Sequence, residues 1–202
     1  KNSKQKTSDD NLYEEDSRHF AQQNARAAVN ITGRVYVKTV NFNLTANVSC
    51  LFSQRCYEIN KTDYIFTLGA TSPLNGTRLV TFNTSVILSK TGNHSRYNAL
   101  TYQFSLQEQP KLRKLMFFNK NRTCLILVDN RNSTRDTTKC QLLQPAAYAN
   151  DTTPDDCRAV FNQNCPGGNL TLYQPRCQGL PVHWVAGDPA VTSASGEENN
   201  GC

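Results

Sequence analysis

Apolar and polar residues alternate along several stretches of the chain. Over residues 40–50 every second position is apolar or Cys, and Asn, Thr or Ser stands between them. Successive side chains of a β-strand point to opposite faces, so this period predicts a strand with one buried face. Asn43 and Asn47, both N-glycosylation acceptors, fall on the polar face, where a sugar must reach solvent.

The same period recurs further along the chain. Its apolar positions are Tyr64, Phe66 and Leu68, then Val80, Phe82, Val86 and Leu88, then Leu100, Tyr102, Phe104 and Leu106. Shorter apolar runs cover residues 115–118, 124–128 and 139–143, and a first strand begins at Arg34, which makes about eight strands. The turn-rich breaks between the runs are short, so we expect an antiparallel sheet.

The ends of the chain differ from its middle. Residues 1–28 are predicted to form a flexible arm and a short helix, residues 29–180 the folded domain, and residues 181–202 a flexible tail. One later helix is predicted, with Thr153 as N-cap, Pro154 in the first turn and two acidic residues at its positive end, and it runs to about Asn164.

These elements favour one fold class. Eight antiparallel strands followed by a helix predict an all-β, eight-stranded, up-and-down barrel that can hold a small ligand. An immunoglobulin-type sandwich is the structural alternative. We disfavour it because the early strands contain no Trp and a helix follows the last strand.

Cysteine usage indicates a disulfide-bonded protein. The chain has eight Cys, which allow 105 pairings, and the residues alone select none of them. Zinc binding is the competing use. No Cys-x2-Cys pair occurs and the three His lie far apart, so we predict no metal site.

N-glycosylation acceptors point to the same oxidising, secretory compartment. The Asn-x-Ser/Thr pattern occurs far more often than chance placement predicts. No apolar run approaches the length of a membrane span, and we expect any signal peptide to have been removed. The predicted acceptors are Asn30, Asn43, Asn47, Asn60, Asn75, Asn83, Asn93, Asn121, Asn132, Asn150 and Asn169.

Several segments together resemble a known family. The sequence VYVKT begins at Val35, VSC ends at Cys50, and TCLILV begins at Thr123; Cys157 in the predicted helix and Cys177 follow. This order of strands and cysteines resembles the salivary lipocalins of ticks. One position departs from the general lipocalin signature, since Val35 stands where Trp is usual.

The resemblance implies a disulfide map and a location. It pairs Cys50 with Cys177 and Cys124 with Cys157, and Cys140 with Cys165 is a plausible third bridge. The pairing of Cys56 and Cys202 stays open. It also implies a protein secreted in saliva that sequesters small host mediators: biogenic amines in some members, and leukotrienes, fatty acids or sterols in others.

The residues favour an anionic lipid among these ligands. A buried ammonium group needs carboxylates within reach, whereas the early predicted strands contain no Asp or Glu. Amine-binding members resemble one another in having Asp after the late-strand Cys, and here Leu125 follows Cys124. The net charge of +6 also favours an acidic ligand such as an eicosanoid or fatty acid.

Candidate ligand contacts follow from this hypothesis. An acidic lipid needs an apolar tunnel with Lys or Arg near its mouth. Lys38 shares the parity of Tyr36 and Phe42, and only a bulge would turn it outward. The predicted ligand-binding residues are Tyr36, Lys38, Phe42, Tyr64, Phe66, Arg78, Phe82, Tyr102, Phe104, Leu125 and Leu127.

Other functions are weighed against this prediction. An enzyme is disfavoured because His19, His94 and His183 lie outside any position where a barrel would build a catalytic site, and no cofactor is predicted. Nucleic-acid binding lacks a recognition motif and fits poorly with dense glycosylation. A histamine binder, and a protein-binding immunomodulator that uses the barrel as a scaffold, remain as alternatives.

Overall fold

The computed structural model describes residues 11–184, and its centre is a closed barrel of eight antiparallel strands. Each strand pairs with the next one in the chain, and the last pairs with the first, which closes the ring. The predicted fold class is confirmed. The strands are β1 (Arg34–Val40), β2 (Phe52–Glu58), β3 (Asp63–Thr71), β4 (Leu79–Ser89), β5 (Ala99–Tyr102), β6 (Lys111–Phe118), β7 (Leu125–Asp129) and β8 (Cys140–Pro145).

Helices and two short strands lie outside the ring. Both predicted helices are present, as α1 (Ala25–Val29) and α2 (Asp155–Asn164). β9 (Leu170–Thr171) pairs with β1, and β10 (Val182–Trp184) lies parallel to the start of β4, within the segment predicted as a tail. Turns of 3₁₀ helix cover Tyr13–Glu15, Ser17–Gln22, Ala146–Tyr148 and Pro175–Gly179. Within residues 11–184, no helix is long and apolar enough to cross a membrane.

The strand predicted over residues 40–50 is wrong. β1 ends at Val40, and residues 41–51 form a loop across one end of the barrel. The Asn41 amide fixes the start of this loop, because it donates to two backbone oxygens and its own oxygen accepts from the Cys140 N–H at 2.7 Å. Cys50 ends the loop in a left-handed conformation, with φ 55°, which a continuous strand does not allow.

The alternation in this loop still has a physical basis. Phe42, Leu44 and Val48 pack against the barrel interior, while Asn43 and Asn47 are exposed. This loop lies across the apolar opening of the barrel and buries one of its faces, as a strand at the surface of a protein does. The hydrophobic period therefore predicted the direction of the side chains correctly and the backbone conformation incorrectly.

Two further boundaries differ from the sequence prediction. β2 begins where the predicted strand had already ended, in a segment whose polar residues Ser53, Gln54 and Arg55 hide its strand character. β5 ends at Tyr102, and residues 103–110 form the loop to β6 instead of extending the strand to Leu106.

Three buried clusters hold the fold together. The largest fills the barrel and includes residues from every barrel strand except β2, together with α1. A second lies between α2 and the outer face of β6, β7 and β8, centred on Met116 and Phe161. A third packs Tyr36 and Phe52 of the outer wall against Tyr173 near the C-terminal side.

Between residues 11 and 184, three disulfides connect these layers, and all three predicted pairings are confirmed. Cys50 is bonded to Cys177, Cys124 to Cys157, and Cys140 to Cys165. The last two attach α2 and its following turn to β7 and β8. Cys202 lies outside the described residues.

The start of α2 differs in one detail from the prediction. Pro154 occupies the N-cap position and no side chain caps the helix. Thr153 instead donates its hydroxyl hydrogen to the side-chain oxygen of Gln144, 3.4 Å away. Asp155 and Asp156 lie in the first turn as expected, next to the positive end of the helix dipole.

An N-terminal strap, residues 12–23, lies along the outer face of β6. Glu14 is completely buried there, and both of its carboxylate oxygens accept hydrogen bonds from the Arg131 guanidinium, at 2.8 and 2.9 Å. Gln23 donates to the backbone oxygen of Met116 at 3.0 Å. The strap therefore connects the β7–β8 loop to the wall of the barrel.

Candidate functional site

An apolar cavity of about 350 Å³ runs through the barrel. At one end it is bounded by α1 and the residues that follow it, including Ala28, Val29 and Ile31. At the other end it is bounded by Leu44 and its neighbours in the β1–β2 loop and by Phe104 in the β5–β6 loop. In an up-and-down barrel the connections after odd-numbered strands meet at one end, so these loops form the mouth. The volume is in the range of small-molecule sites.

The structure brings six of the predicted ligand-binding residues together around this cavity. They come from four different strands and one loop, so no single stretch of sequence displays them. Their rings and branched chains make an apolar wall, as the alternation predicted. The six are Phe66, Phe82, Tyr102, Phe104, Leu125 and Leu127.

Tyr36 and Lys38 lie on the outer face of the barrel instead. Val35 and Val37 of β1 line the cavity, so the parity of the first strand is the reverse of the prediction. The Lys38 ammonium donates to the backbone oxygens of Ala149 and Asp151. Burial lowers the pKa of Lys38, against the opposing charge of Asp151.

The reversed parity arises at a bulge. The register of β1 against β8 shifts between Val37 and Thr39, which leaves Lys38 outside the regular pairing and returns Val40 to the barrel interior. The prediction was built from the phase of Val40 and residues after it. Because the bulge lies just before Val40, that phase did not apply to Tyr36.

The other three predicted residues also lie away from the cavity lining. Phe42 packs against the edge of the interior cluster, with the Lys139 ammonium 5.7 Å from its ring centroid. Tyr64 belongs to the interior cluster, and its buried hydroxyl has no hydrogen-bond partner among the residues described. Arg78 is exposed on the β3–β4 loop.

Sequence reasoning missed Arg55, which lies on β2. Arg55 pairs across the sheet with Phe66, an interior residue, and lines the cavity. It is the one charged side chain in the lining formed by residues 28–143. Its guanidinium donates to the side-chain oxygen of Asn30 at 2.7 Å, near the closed end. Leu51, Ser53 and Arg55 stand at every second position and so share one face of a strand, which could have identified Arg55. The sequence prediction did not recognise β2 as a strand and therefore missed it.

A second polar group lies near the mouth, centred on Arg113. Its guanidinium is 4.6 Å from the Tyr102 ring centroid and 5.3 Å from that of Phe104. It donates to Asp129 at 3.0 Å and to Glu108 at 3.1 Å. The two rings therefore cover a buried cation that two carboxylates neutralise.

Tyr102 gives this region its hydrogen-bonding capacity. Its side chain contacts that of Gln141, and both residues line the cavity. Burial raises the pKa of Tyr102, partly opposed by the positive charge of Arg113. The phenol is therefore neutral at physiological pH and presents a hydroxyl group, not an anion, to the cavity.

The carboxylates near the mouth are engaged with protein partners. Glu108 accepts from Arg113, from the backbone N–H of Phe104 at 3.1 Å and from the Lys111 ammonium at 2.7 Å. Burial opposes its ionisation most strongly. The Lys111 hydrogen bond and the charge of Arg113 outweigh that effect, so the pKa of Glu108 lies below its usual value.

The predicted glycosylation acceptors lie where a sugar is sterically possible. Ten of the Asn side chains are exposed, and Asn83 on the outer face of β4 is half-buried. Asn83 accepts a hydrogen bond from Thr67 at 2.7 Å. Occupancy of these acceptors stays a prediction.

One group of side chains has the spacing of a metal site. Cys124, Asp156 and Cys157 approach one another within 4.8 Å. The two sulfur atoms are bonded to each other, so neither is available as the thiolate that a metal requires. The group is therefore a disulfide with a neighbouring helix-start carboxylate.

A closed eight-stranded barrel with an apolar cavity, a short helix across its closed end and a C-terminal helix on its wall defines a lipocalin. The sequence model of the family described as "Tick histamine binding protein" matches residues 13–179. The chain therefore belongs to this family, the salivary lipocalins of ticks, whose members are ligand carriers.

Solved structures agree with this fold. The serotonin complex of AM182 is 17% identical, with a TM-score of 0.60 over 78% of this chain and 94% of that one. Japanin from Rhipicephalus appendiculatus bound to cholesterol is 17% identical, with a TM-score of 0.51 over 73% and 96%. Apocrustacyanin C2 is 12% identical, with a TM-score of 0.53 over 78% and 84%. No curated protein sequence matches the chain.

Proposed function

We propose that this protein is secreted in tick saliva and sequesters a small apolar host mediator with an acidic head group, such as an eicosanoid or a fatty acid. The observation that carries the proposal is the apolar cavity, whose one charged lining residue within residues 28–143 is Arg55. Sequestration needs no chemical step: apolar burial supplies affinity and a polar contact orients the ligand.

Arg55 supports the acidic head group. No salt bridge joins it to another residue in the described part of the chain, and its hydrogen bond to Asn30 leaves further guanidinium donors available. A guanidinium group matches a carboxylate with two parallel hydrogen bonds. The ligand would then place its head near the closed end of the barrel and its tail toward the mouth.

A biogenic amine is the second candidate, because the family model is named for histamine binding and AM182 binds serotonin. The geometry disfavours it for this chain. The cavity lining of residues 28–143 contains no Asp or Glu, and Glu108 and Asp129 already pair with Arg113. An ammonium ligand would compete with a buried guanidinium for the same carboxylates.

The test is a titration of the purified, deglycosylated protein with four probes: arachidonate, its methyl ester, cholesterol and histamine. We expect saturable one-to-one binding of arachidonate and weaker binding of the ester. Arg55→Met keeps much of the side-chain volume and should weaken arachidonate by about tenfold, the scale of one charge-assisted hydrogen bond, while leaving the ester unchanged.

Lys38→Met is the matched control, since it removes a positive charge from the outer wall and should leave all affinities unchanged. Histamine binding without lipid binding would overturn the proposal in favour of an amine carrier. Absence of binding by all four probes would also overturn it, and would favour the protein-binding alternative in which the barrel is a scaffold.

A further inference from the structure

Glycosylation acceptors are distributed unevenly over the loops of the barrel. Seven connections join consecutive strands, and six of them carry an acceptor. At the mouth these are Asn43 and Asn47 in β1–β2, Asn75 in β3–β4 and Asn132 in β7–β8. The β5–β6 loop, residues 103–110, has none.

The loop without an acceptor also bounds the cavity. Phe104, Ser105, Leu106 and Gln107 all line it. Leu106 is nevertheless 42% exposed, so this loop has one apolar face toward the cavity and another toward solvent. A ligand that crosses here meets the apolar side chains of Phe104 and Leu106 and no predicted acceptor.

Glu108 holds the loop in its closed position. Its carboxylate accepts from the backbone N–H of Phe104 within the loop and from Arg113 on β6. The Phe104 ring in turn lies over the Arg113 guanidinium. One carboxylate therefore joins the start of the loop to the barrel wall, and its removal deprives the Phe104 amide of its acceptor and Arg113 of one of its two carboxylate partners.

We propose that the β5–β6 loop is the portal through which ligand enters and leaves the cavity, and that Glu108 is the latch that keeps this portal closed. The proposal rests on the proposed function, because a portal needs a cavity ligand. Glu108 is a positioning residue: it acts through Phe104 and makes no contact with the cavity itself.

The first experiment measures arachidonate association and dissociation by stopped flow. Glu108→Gln should raise both rate constants by about tenfold, the scale of losing hydrogen bonds to a charged group, and change the equilibrium affinity little. Asp129→Asn removes the charge of the other carboxylate partner of Arg113 but leaves the hydrogen bond of Glu108 to Phe104, so both rates should stay near wild type. Equal rates in Glu108→Gln and Asp129→Asn would overturn the latch.

The second experiment needs no ligand. Hydrogen exchange at the Phe104 amide should accelerate in Glu108→Gln, because that amide loses its carboxylate acceptor, while exchange in the strands stays unchanged. Glu58→Gln, which removes a carboxylate at the closed end, is the control. Unchanged exchange at Phe104 would overturn the latch whether or not any lipid binds.

The third experiment tests the portal with a sugar. Gln103→Asn creates an acceptor, because Phe104 and Ser105 follow. When this variant is expressed with glycosylation, both rate constants should fall below those of Gln103→Ala, which loses the same hydrogen bond to Leu106 without adding a sugar. Unchanged rates with the new site occupied would overturn the portal while leaving the carrier function intact.

Discussion

Arg55 and Lys38 show how strand register decides whether a basic side chain faces the cavity or the outer wall of the barrel. Both are basic residues, and they lie on the neighbouring strands β1 and β2. Lys38 lies at a register shift and ties β1 to the segment after β8. Arg55 keeps the regular phase of β2 and lines the cavity.

The buried ion pair of Glu14 and Arg131 leads to a prediction about the stability of the fold. Glu14→Gln should lower the free energy of unfolding by about 3 kcal/mol, because it leaves a buried guanidinium without its counter-charge. Urea denaturation monitored by far-UV circular dichroism measures the change in the free energy of unfolding. Asp155→Asn, which breaks an exposed pair with Arg158, should cost less than about 1 kcal/mol.

At the scale of elements, α2 is separable from the ligand site. Phe161→Ala should lower the free energy of unfolding by about 3 kcal/mol, since it opens a cavity between α2 and the sheet. Ligand affinity should stay the same because that cluster lies on the outer side of the wall. Titration of the variant at a temperature where it remains folded checks this; a parallel loss of affinity would mean that α2 shapes the cavity.

The β5–β6 loop should respond to pH through Glu108. The pKa of this carboxyl is lower in the folded protein than its ordinary value of 4.5, so its ion pairs are complete above that value and are lost as the pH falls through the folded-state pKa. Ligand release should therefore accelerate on acidification. Stopped-flow dissociation measured at decreasing pH tests this, and Glu108→Gln should give a flat profile over the same interval.

The elements also show where sequence reasoning ends. Alternation and short apolar runs located seven of the eight barrel strands, and the proline and acidic residues at its start located α2. The alternation misassigned residues 40–50, since a loop over an apolar opening has the same one-sided burial as a strand. It overlooked β2, because two inward-facing residues of this strand, Ser53 and Arg55, are polar and break the apolar alternation.

The whole molecule adds what no local pattern contains. The wall of the cavity combines Phe66, Tyr102 and Leu125 from distant strands, and their common direction follows from barrel closure. The sequence does not reveal the bulge in β1. For that reason it also does not reveal on which side of the barrel wall Lys38 lies. The disulfide pairings were predictable only through the family resemblance.

Ligand binding should stabilise the whole barrel. A ligand that binds only the folded state adds about 2.7 kcal/mol to the free energy of unfolding at one hundred times its dissociation constant. Thermal unfolding with increasing arachidonate should show a rising Tm for the wild type and a smaller rise for Arg55→Met. An unchanged wild-type Tm at saturating concentrations would contradict binding inside the core.

Under the proposed salivary function, the distribution of acceptors has a consequence for the animal on which the tick feeds. Where sugars occupy six of the seven connections, circulating antibodies meet carbohydrate over most of the barrel's two ends, and bare polypeptide at the β5–β6 loop. Antibodies selected against that loop would bind the entrance of the cavity. Among the connections between barrel strands, the one open to immune recognition would then be the proposed portal, whose blockade would prevent ligand uptake.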